Sequence, residues 1–183
     1  MSKIVVPLAS GFEEIEAVSI IDVCRRAGIE VNVAGIETID VVGANQIRIK
    51  CDCLFSDINF DNVDMIVLPG GWGGTNVLAS NVFVQNKLKE FKKDNKYIGA
   101  ICAAPFALHR AGVLNENYTC YPSVEDQIRQ NGYTDNKKVV IDGKVLTSRG
   151  PATAICFSLE IVKLLEGKEM YETLKGGLLA DFC

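Results

Sequence analysis

Short apolar runs at residues 4–8, 31–36, 63–68 and 97–101 recur along this chain, with segments of helical period between them at about 14–27 and 82–93. Runs this short, with little polar alternation, suit strands buried on both faces. Strands of that kind alternating with amphipathic helices build βαβ units. The rhythm predicts an α/β fold whose mostly parallel sheet is covered by helices on both faces, with right-handed crossovers. Residues 39–58, with paired runs around Gly43-Ala44-Asn45, look like a β-hairpin excursion, a surface that can serve a dimer. A second hairpin is expected where residues 139–141 and 145–147 flank Asp142-Gly143-Lys144. A helix after Cys102 should end at Gly112, and helices at about 152–165 and 168–179 close the chain.

The 183 residues suffice for one domain, 1–183, with a single sizeable core. A net charge of −4, with basic residues scattered except at 87–96, argues against a nucleic-acid partner. That lysine stretch is broken by Leu88, Glu90 and Phe91 and reads as a solvated helix face. No apolar run reaches membrane-spanning length, and Met1-Ser2-Lys3-Ile4 runs into a strand without signal-peptide architecture, so a cytoplasmic protein is expected. Seven cysteines form an odd set in a chain that needs no staples, consistent with free thiols in a reducing compartment. Cys51-Asp52-Cys53 lacks the spacing of a zinc knuckle and there is one histidine, so no metal is expected.

The chemistry centres on Gly99-Ala100-Ile101-Cys102-Ala103-Ala104-Pro105, where an apolar strand breaks into small residues able to open a helix. Such a turn holds its nucleophile at the carboxyl edge of the sheet, where helix N–H groups and the helix dipole would lower the thiol pKa. Ser10 and Glu13 can form a capping box, which accounts for Glu13 and extends to Glu14. Glu16 lies between Ile15 and Ala17 at the same sheet edge, either as an ordinary helix acid or as a carboxyl paired with Cys102. Leu68-Pro69-Gly70-Gly71-Trp72-Gly73-Gly74 lacks the spacing of a phosphate or dinucleotide loop. It is either a tight turn or an oxyanion-type site in which Gly70, Gly71 and Ala103 N–H groups face a carbonyl oxygen. His109, about two turns into its helix, is too far from Cys102 to act as its base, and Tyr121 offers a hydroxyl rather than a base. Cys24 and Cys156 read as buried small hydrophobes. Cys51, Cys53, Cys120 and Cys183 read as surface thiols that can oxidise, with nothing marking them as nucleophiles.

Five segments, Gly11-Phe12-Glu13-Glu14-Ile15-Glu16, Arg25-Arg26-Ala27-Gly28-Ile29, Leu68-Pro69-Gly70-Gly71, 100–105 and Leu146-Thr147-Ser148-Arg149-Gly150-Pro151, together resemble the ThiJ/PfpI superfamily. The branch most similar is that of the Parkinsonism-associated deglycase and its bacterial relatives. The resemblance implies a flavodoxin-like sandwich, a homodimer and a redox-sensitive nucleophile at Cys102 hydrogen-bonded to a protonated Glu16. It also implies backbone donors at Gly70, Gly71 and Ala103, with Ser148 and Arg26 in supporting positions. Two departures stand out: Tyr121-Pro122 replaces the family's histidine before proline, and the hairpin arginine has no clear equivalent, with Asn45 and Arg48 nearby.

The resemblance thus implies a cofactor-independent enzyme acting on 2-oxoaldehydes or their protein adducts, of glyoxalase or deglycase type. The alternative is a redox-sensing stress protein or chaperone with an oxidisable Cys102. A cysteine peptidase or amidase comes third, since it needs the base that Tyr121 replaces.

Overall fold

Along β1 (Lys3–Leu8), Ile4, Val6 and Leu8 face one core layer and Val5 the other, and all four are wholly buried. A strand apolar on both sides has to lie between two layers. The computed structural model describes residues 1–183. After β1 come α1 (Glu14–Arg26), β2 (Glu30–Gly35), β3 (Asp40–Val42), β4 (Arg48–Lys50), β5 (Cys53–Leu54), β6 (Met65–Leu68), α2 (Trp72–Ser80), α3 (Val82–Lys93) and β7 (Tyr97–Ile101). The chain continues through α4 (Pro105–Ala111), α5 (Glu125–Ile128), β8 (Val139–Asp142), β9 (Val145–Ser148), α6 (Ala154–Glu166) and α7 (Lys168–Gly177).

Seven strands form one sheet in the order β5-β2-β1-β6-β7-β9-β8, all parallel except β8, which pairs antiparallel with β9. One face is covered by α1, α6 and α7 through Ile20, Phe157 and Tyr171. The other is covered by α2, α3 and α4 through Leu78, Leu88 and Leu108. From β1 the chain first crosses to β2 on one side and later to β6 on the other, so the carboxyl end of β1 is a topological switch point, where doubly wound sheets open a crevice for ligands.

The flavodoxin-like sandwich expected from the sequence is the fold observed. Both hairpins form as expected, β3 with β4 and β8 with β9. Gly112 ends α4 in the left-handed conformation. Two elements differ. Helix α2 runs through Gly73 and Gly74, which sequence reading leaves in a loop. A Cβ on either glycine would lie 3.0–3.1 Å from the backbone of residues 9–12, so close packing selects glycine here at the expense of helix propensity. The hairpin excursion also returns at β5 to extend the main sheet beside β2.

The cysteine and capping expectations need correction. Cys156 and Cys183 are joined in a disulfide, because α7 folds back along α6 and brings their Cα atoms to 5.1 Å. Cys51 and Cys120 are buried rather than on the surface. Glu13, not Ser10, is the N-cap of α1, its side chain accepting from the Glu16 N–H at 2.8 Å. Glu14 does more than complement a helix dipole. Although only 4 % exposed, its carboxylate accepts from Asn45 N at 2.6 Å, Asn45 Nδ2 at 3.1 Å and Ile47 N at 3.4 Å, fastening the first hairpin's turn to α1. Burial opposes that charge, but the hydrogen bonds from Asn45 and Ile47 hold the carboxyl below its ordinary range.

A depressed folded-state value means that this anchor is present above the unfolded carboxyl value and is lost as pH falls through the folded one. Glu14→Ala should therefore lower stability by roughly 2 kcal/mol at neutral pH, where charged hydrogen bonds are lost. Amide hydrogen exchange at Asn45 and Ile47 should quicken in the variant. The same quickening should appear in the parent protein on acidification below the folded Glu14 value. An unchanged exchange rate in the variant would show that the hairpin is held by other contacts.

Candidate active site

Three adjacent strand ends supply the site. Glu16 lies in the first turn of α1 after β1, Gly70 and Gly71 follow β6, and Cys102 follows β7. The Gly70 N–H donates to Glu16 Oε2 at 2.7 Å, and Gly70 O accepts from Glu13 N at 2.9 Å, locking the glycine loop to the start of α1. A Cβ on Gly70 would lie 2.6 Å from the Cys102 Cβ and 2.7 Å from Glu16 Oε2, so glycine is required for the carboxyl and the thiol to converge. Gly71, at φ +83°, packs its Cα against the backbone of Gly11 and Phe12, an approach and a backbone conformation that both favour glycine.

Cys102 adopts φ +63°, a left-handed conformation uncommon for a residue with a side chain, as expected at a sharp strand-to-helix turn. Its backbone is held from both sides: its N–H donates to Ser148 O at 3.0 Å, and its O accepts from Tyr121 N at 2.9 Å. Ser148 is itself fully buried, with its Oγ 2.7 Å from both Lys138 O and Thr153 Oγ1. The side chain of Tyr121 is half exposed, and its ring lies where a Cβ on Gly150 would come within 3.2 Å of it. A cleft of about 270 Å³, lined by Tyr121, Pro122 and residues 149–153, opens next to it.

Glu16 is wholly buried, and its Oε1 has no hydrogen-bond partner. Burial pushes its carboxyl up to about 7, against the opposing pull of the Gly70 N–H and the Cys102 thiol, with the charge on Glu13 adding to the rise. The sequence argument expects a depressed thiol at Cys102, and here the structure differs. Burial and the Glu16 charge push the thiol up, while N–H groups of Gly71 and Ala103 pull the other way. The physical reason is burial of the sulfur beside the Glu16 carboxyl, which outweighs the two N–H groups that reach it. The pair therefore holds its proton into the neutral range, and Glu16 is the group suited to receive it.

Of the residues singled out from sequence, Cys102, Glu16, Gly70, Gly71, Ala103, Tyr121 and Ser148 come together. Gly70 does so in a different role, because its N–H serves Glu16 and leaves Gly71 and Ala103 as the donors at the sulfur. Arg26 does not join them. It sits exposed in the last turn of α1, paired with Asp22 at 2.7 Å, at the opposite end of the helix from Glu16. Asn45 is bound to Glu14 and Arg48 lies exposed on β4. Sequence reading missed Glu14 as the hairpin's anchor. The turn glycine Gly43, where a Cβ would lie 2.3 Å from Glu14 Oε1, was the available signal. No three His, Cys, Asp or Glu side chains converge to hold a metal ion, and no helix is long and apolar enough to cross a membrane.

Residues 2–164 match the DJ-1/PfpI family. The chain is 41% identical over 186 aligned positions to Protein dj-1beta of Drosophila melanogaster, covering 100% of both. The crystal structure of that fly protein superposes with a TM-score of 0.94 at 40% identity, covering 98% of each chain. Glutathione-independent glyoxalase DJR-1.2 of Caenorhabditis elegans is 40% identical over 165 positions, spanning 88% of this chain and 87% of its own. A structure of Toxoplasma gondii DJ-1 in an oxidised form has a TM-score of 0.91 at 37% identity, again with 98% of each chain covered.

The raised Glu16 value carries a stability signature. The folded protein keeps a proton that the unfolded chain releases, so stability attributable to this group falls as pH rises from about 4.5 through about 7. Glu16→Gln removes the buried charge while keeping the shape, and should stabilise the protein at pH above that window by up to about 3 kcal/mol. The gain should shrink toward zero in mild acid. Denaturant unfolding of both proteins across pH measures it, and a variant less stable than its parent at every pH would contradict the assigned direction.

Proposed function

The chain belongs to the DJ-1/PfpI family, and on that premise we propose that it is a stress-protective, cysteine-dependent enzyme acting on small 2-oxoaldehydes or their protein adducts. The observation that carries this reading is a buried carboxyl pushed to about 7 beside the Cys102 thiol, with two backbone N–H donors at the sulfur. A general base is most effective when its pKa lies near the working pH. The glyoxalase activity named for the nematode relative supports the same chemistry.

In this mechanism Cys102 Sγ attacks the aldehyde carbon as the thiol proton passes to Glu16, giving a hemithioacetal. The Gly71 and Ala103 N–H groups stabilise the oxyanion as it forms. Glu16 first returns that proton to the oxyanion. Charged again, it then takes the proton of the former aldehyde carbon and delivers it to the neighbouring carbon, while the hydroxyl proton passes to the ketone oxygen through the enediol, giving the thioester of a 2-hydroxy acid. Water hydrolyses the thioester and returns the free thiol, so the net reaction adds one water and needs no cofactor. Tyr121 occupies the position of the family histidine, and the scheme assigns the thiol and carbon proton transfers to Glu16.

A second reading, oxidation of Cys102 in a redox-responsive stress protein or chaperone, draws on the same donors, which would stabilise an oxidised sulfur anion as well as an oxyanion. The oxidised form of the Toxoplasma relative supports it. In either reading the 183 residues act as one cytoplasmic domain and pair as a homodimer. Ile15, Val18 and Ile47, each about half exposed on α1 and the first hairpin, are the apolar surface that a second copy would cover.

Purified, metal-free protein should convert methylglyoxal to lactate, and Cys102→Ala and Glu16→Gln should each lose at least about a hundredfold in kcat/KM, the contribution typical of a nucleophile or a positioned base. The parent rate should rise with pH as Glu16 loses its proton near 7. No turnover in the parent, with selective peroxide oxidation at Cys102, would transfer support to the redox reading. Light scattering after size-exclusion chromatography should give twice the 19.9 kDa chain mass, and a monomer at micromolar concentration would refute the dimer.

A further inference from the structure

We propose that Cys156 and Cys183 form a second redox-responsive site, distinct from Cys102, whose reversible disulfide fastens residues 178–183 beside the edge strand β8 and which a cellular thiol such as glutathione opens. The inference does not depend on the carbonyl chemistry of Cys102.

Three observations carry it. First, five other cysteines remain free. Three of them, Cys24, Cys51 and Cys120, are buried thiols pushed up to about 12, 11 and 12 respectively by burial, which suppresses the thiolate needed for exchange. Cys156 and Cys183 are the one pair of cysteines that the fold brings to bonding distance. Second, the disulfide is reachable. Cys156 and Cys183 both line a cleft of about 350 Å³ together with Lys138, Ile141 and Tyr171, and Cys183 is part exposed. Third, the last residues have little other anchorage, since Met170, Leu174 and Leu178 pack on the core but such contacts thin beyond them. Tyr171 is the only buried residue of α7, and beyond it Ala180 is the one fully buried side chain.

The segment held by the bond lies against β8. Lys138, immediately before β8, donates from Nζ to the Phe182 carbonyl and sits 5.6 Å from the centre of the Phe182 ring. β8 is the outermost strand, its free edge unpaired, and Ile141 on it is 43 % exposed. Unpaired edges invite strand addition, and a covering segment is one way proteins protect them. Exchange proceeds by attack of a thiolate on one sulfur and release of the other through a mixed disulfide. Two molecules of glutathione deliver two electrons and two protons, leaving two thiols and one glutathione disulfide.

The test equilibrates the full chain in glutathione buffers from fully reduced to fully oxidised, quenches in acid, alkylates free thiols and digests with trypsin without reduction. Peptides 150–163 and 176–183 should be found linked at the oxidising end and separately alkylated at the reducing end. Hydrogen exchange of residues 139–142 and 168–183 should be several-fold faster in the open form, while the alkylation rate of Cys102 stays the same. Cys183→Ser should show the open pattern at every poise and keep the parent's Cys102 reactivity. A link that never forms, a link that survives fully reduced glutathione, or equal exchange in the two forms would each overturn the proposal. A failure here leaves Cys102 turnover untouched, and loss of turnover leaves this site untouched.

Discussion

The contact on which the site depends is the hydrogen bond from the Gly70 N–H to the buried Glu16 carboxyl. It joins the end of β6 to the first turn of α1 across the switch point of the sheet. Because Gly70 has no side chain, Cys102 and Glu16 can both close on the space that a Cβ would fill. Neighbouring contacts hold that arrangement in place: Glu13 caps α1 and accepts the Glu16 N–H, Gly70 O accepts from Glu13 N, and Ser148 and Tyr121 fix the backbone of Cys102. A buried carboxyl with one unpartnered oxygen is an expensive feature to retain in a core. Its persistence beside a sulfur is what distinguishes this crevice from ordinary loop packing.

Much of this was legible in the sequence because it follows from periodicity and residue size. Strands apolar on both faces demanded a two-layered sheet, and runs such as 97–101 and the helix at 82–93 appear with the bounds their patterns suggest. Cys102 was readable because a cysteine at the end of a strand, followed by alanines and proline, has few structural explanations. Glu16 was readable only in part. Its apolar neighbours indicate burial, but the partner that makes the burial useful comes from a strand about fifty residues away.

What the sequence hid shares a physical cause, long-range backbone proximity. Gly73 and Gly74 look like loop residues because helix propensity is local, whereas the packing against residues 9–12 that selects them is not. Glu14 resembles a dipole-complementing acid, and only the folded hairpin turns it into an anion held by two backbone N–H groups and the Asn45 side chain. Arg26 matches the resemblance by position, yet the helix length carries it away from Cys102 to pair with Asp22. The thiol argument failed for a similar reason: it placed helix donors correctly along the chain but could not weigh them against burial. Nothing in the spacing of Cys156 and Cys183 signals a bond, which depends on α7 folding back on α6.

In the proposed mechanism, with Tyr121 where the resemblance places the family's histidine, the proton chemistry rests on one group, and that has a consequence for how stability and activity share the pH scale. Glu16 can accept the thiol proton only in its charged form, which is also the form that burial disfavours. Conditions that prepare the site for attack are thus the conditions under which this residue destabilises the fold. A second base at Tyr121's position would divide that burden, since a group nearer the solvent carries charge at lower desolvation cost. With Tyr121 there, the burden falls on the frame around Glu16. The glycines that bring backbone to backbone, the Glu13 cap and the Glu14 anchor keep the carboxyl in place when it is charged and least favourable.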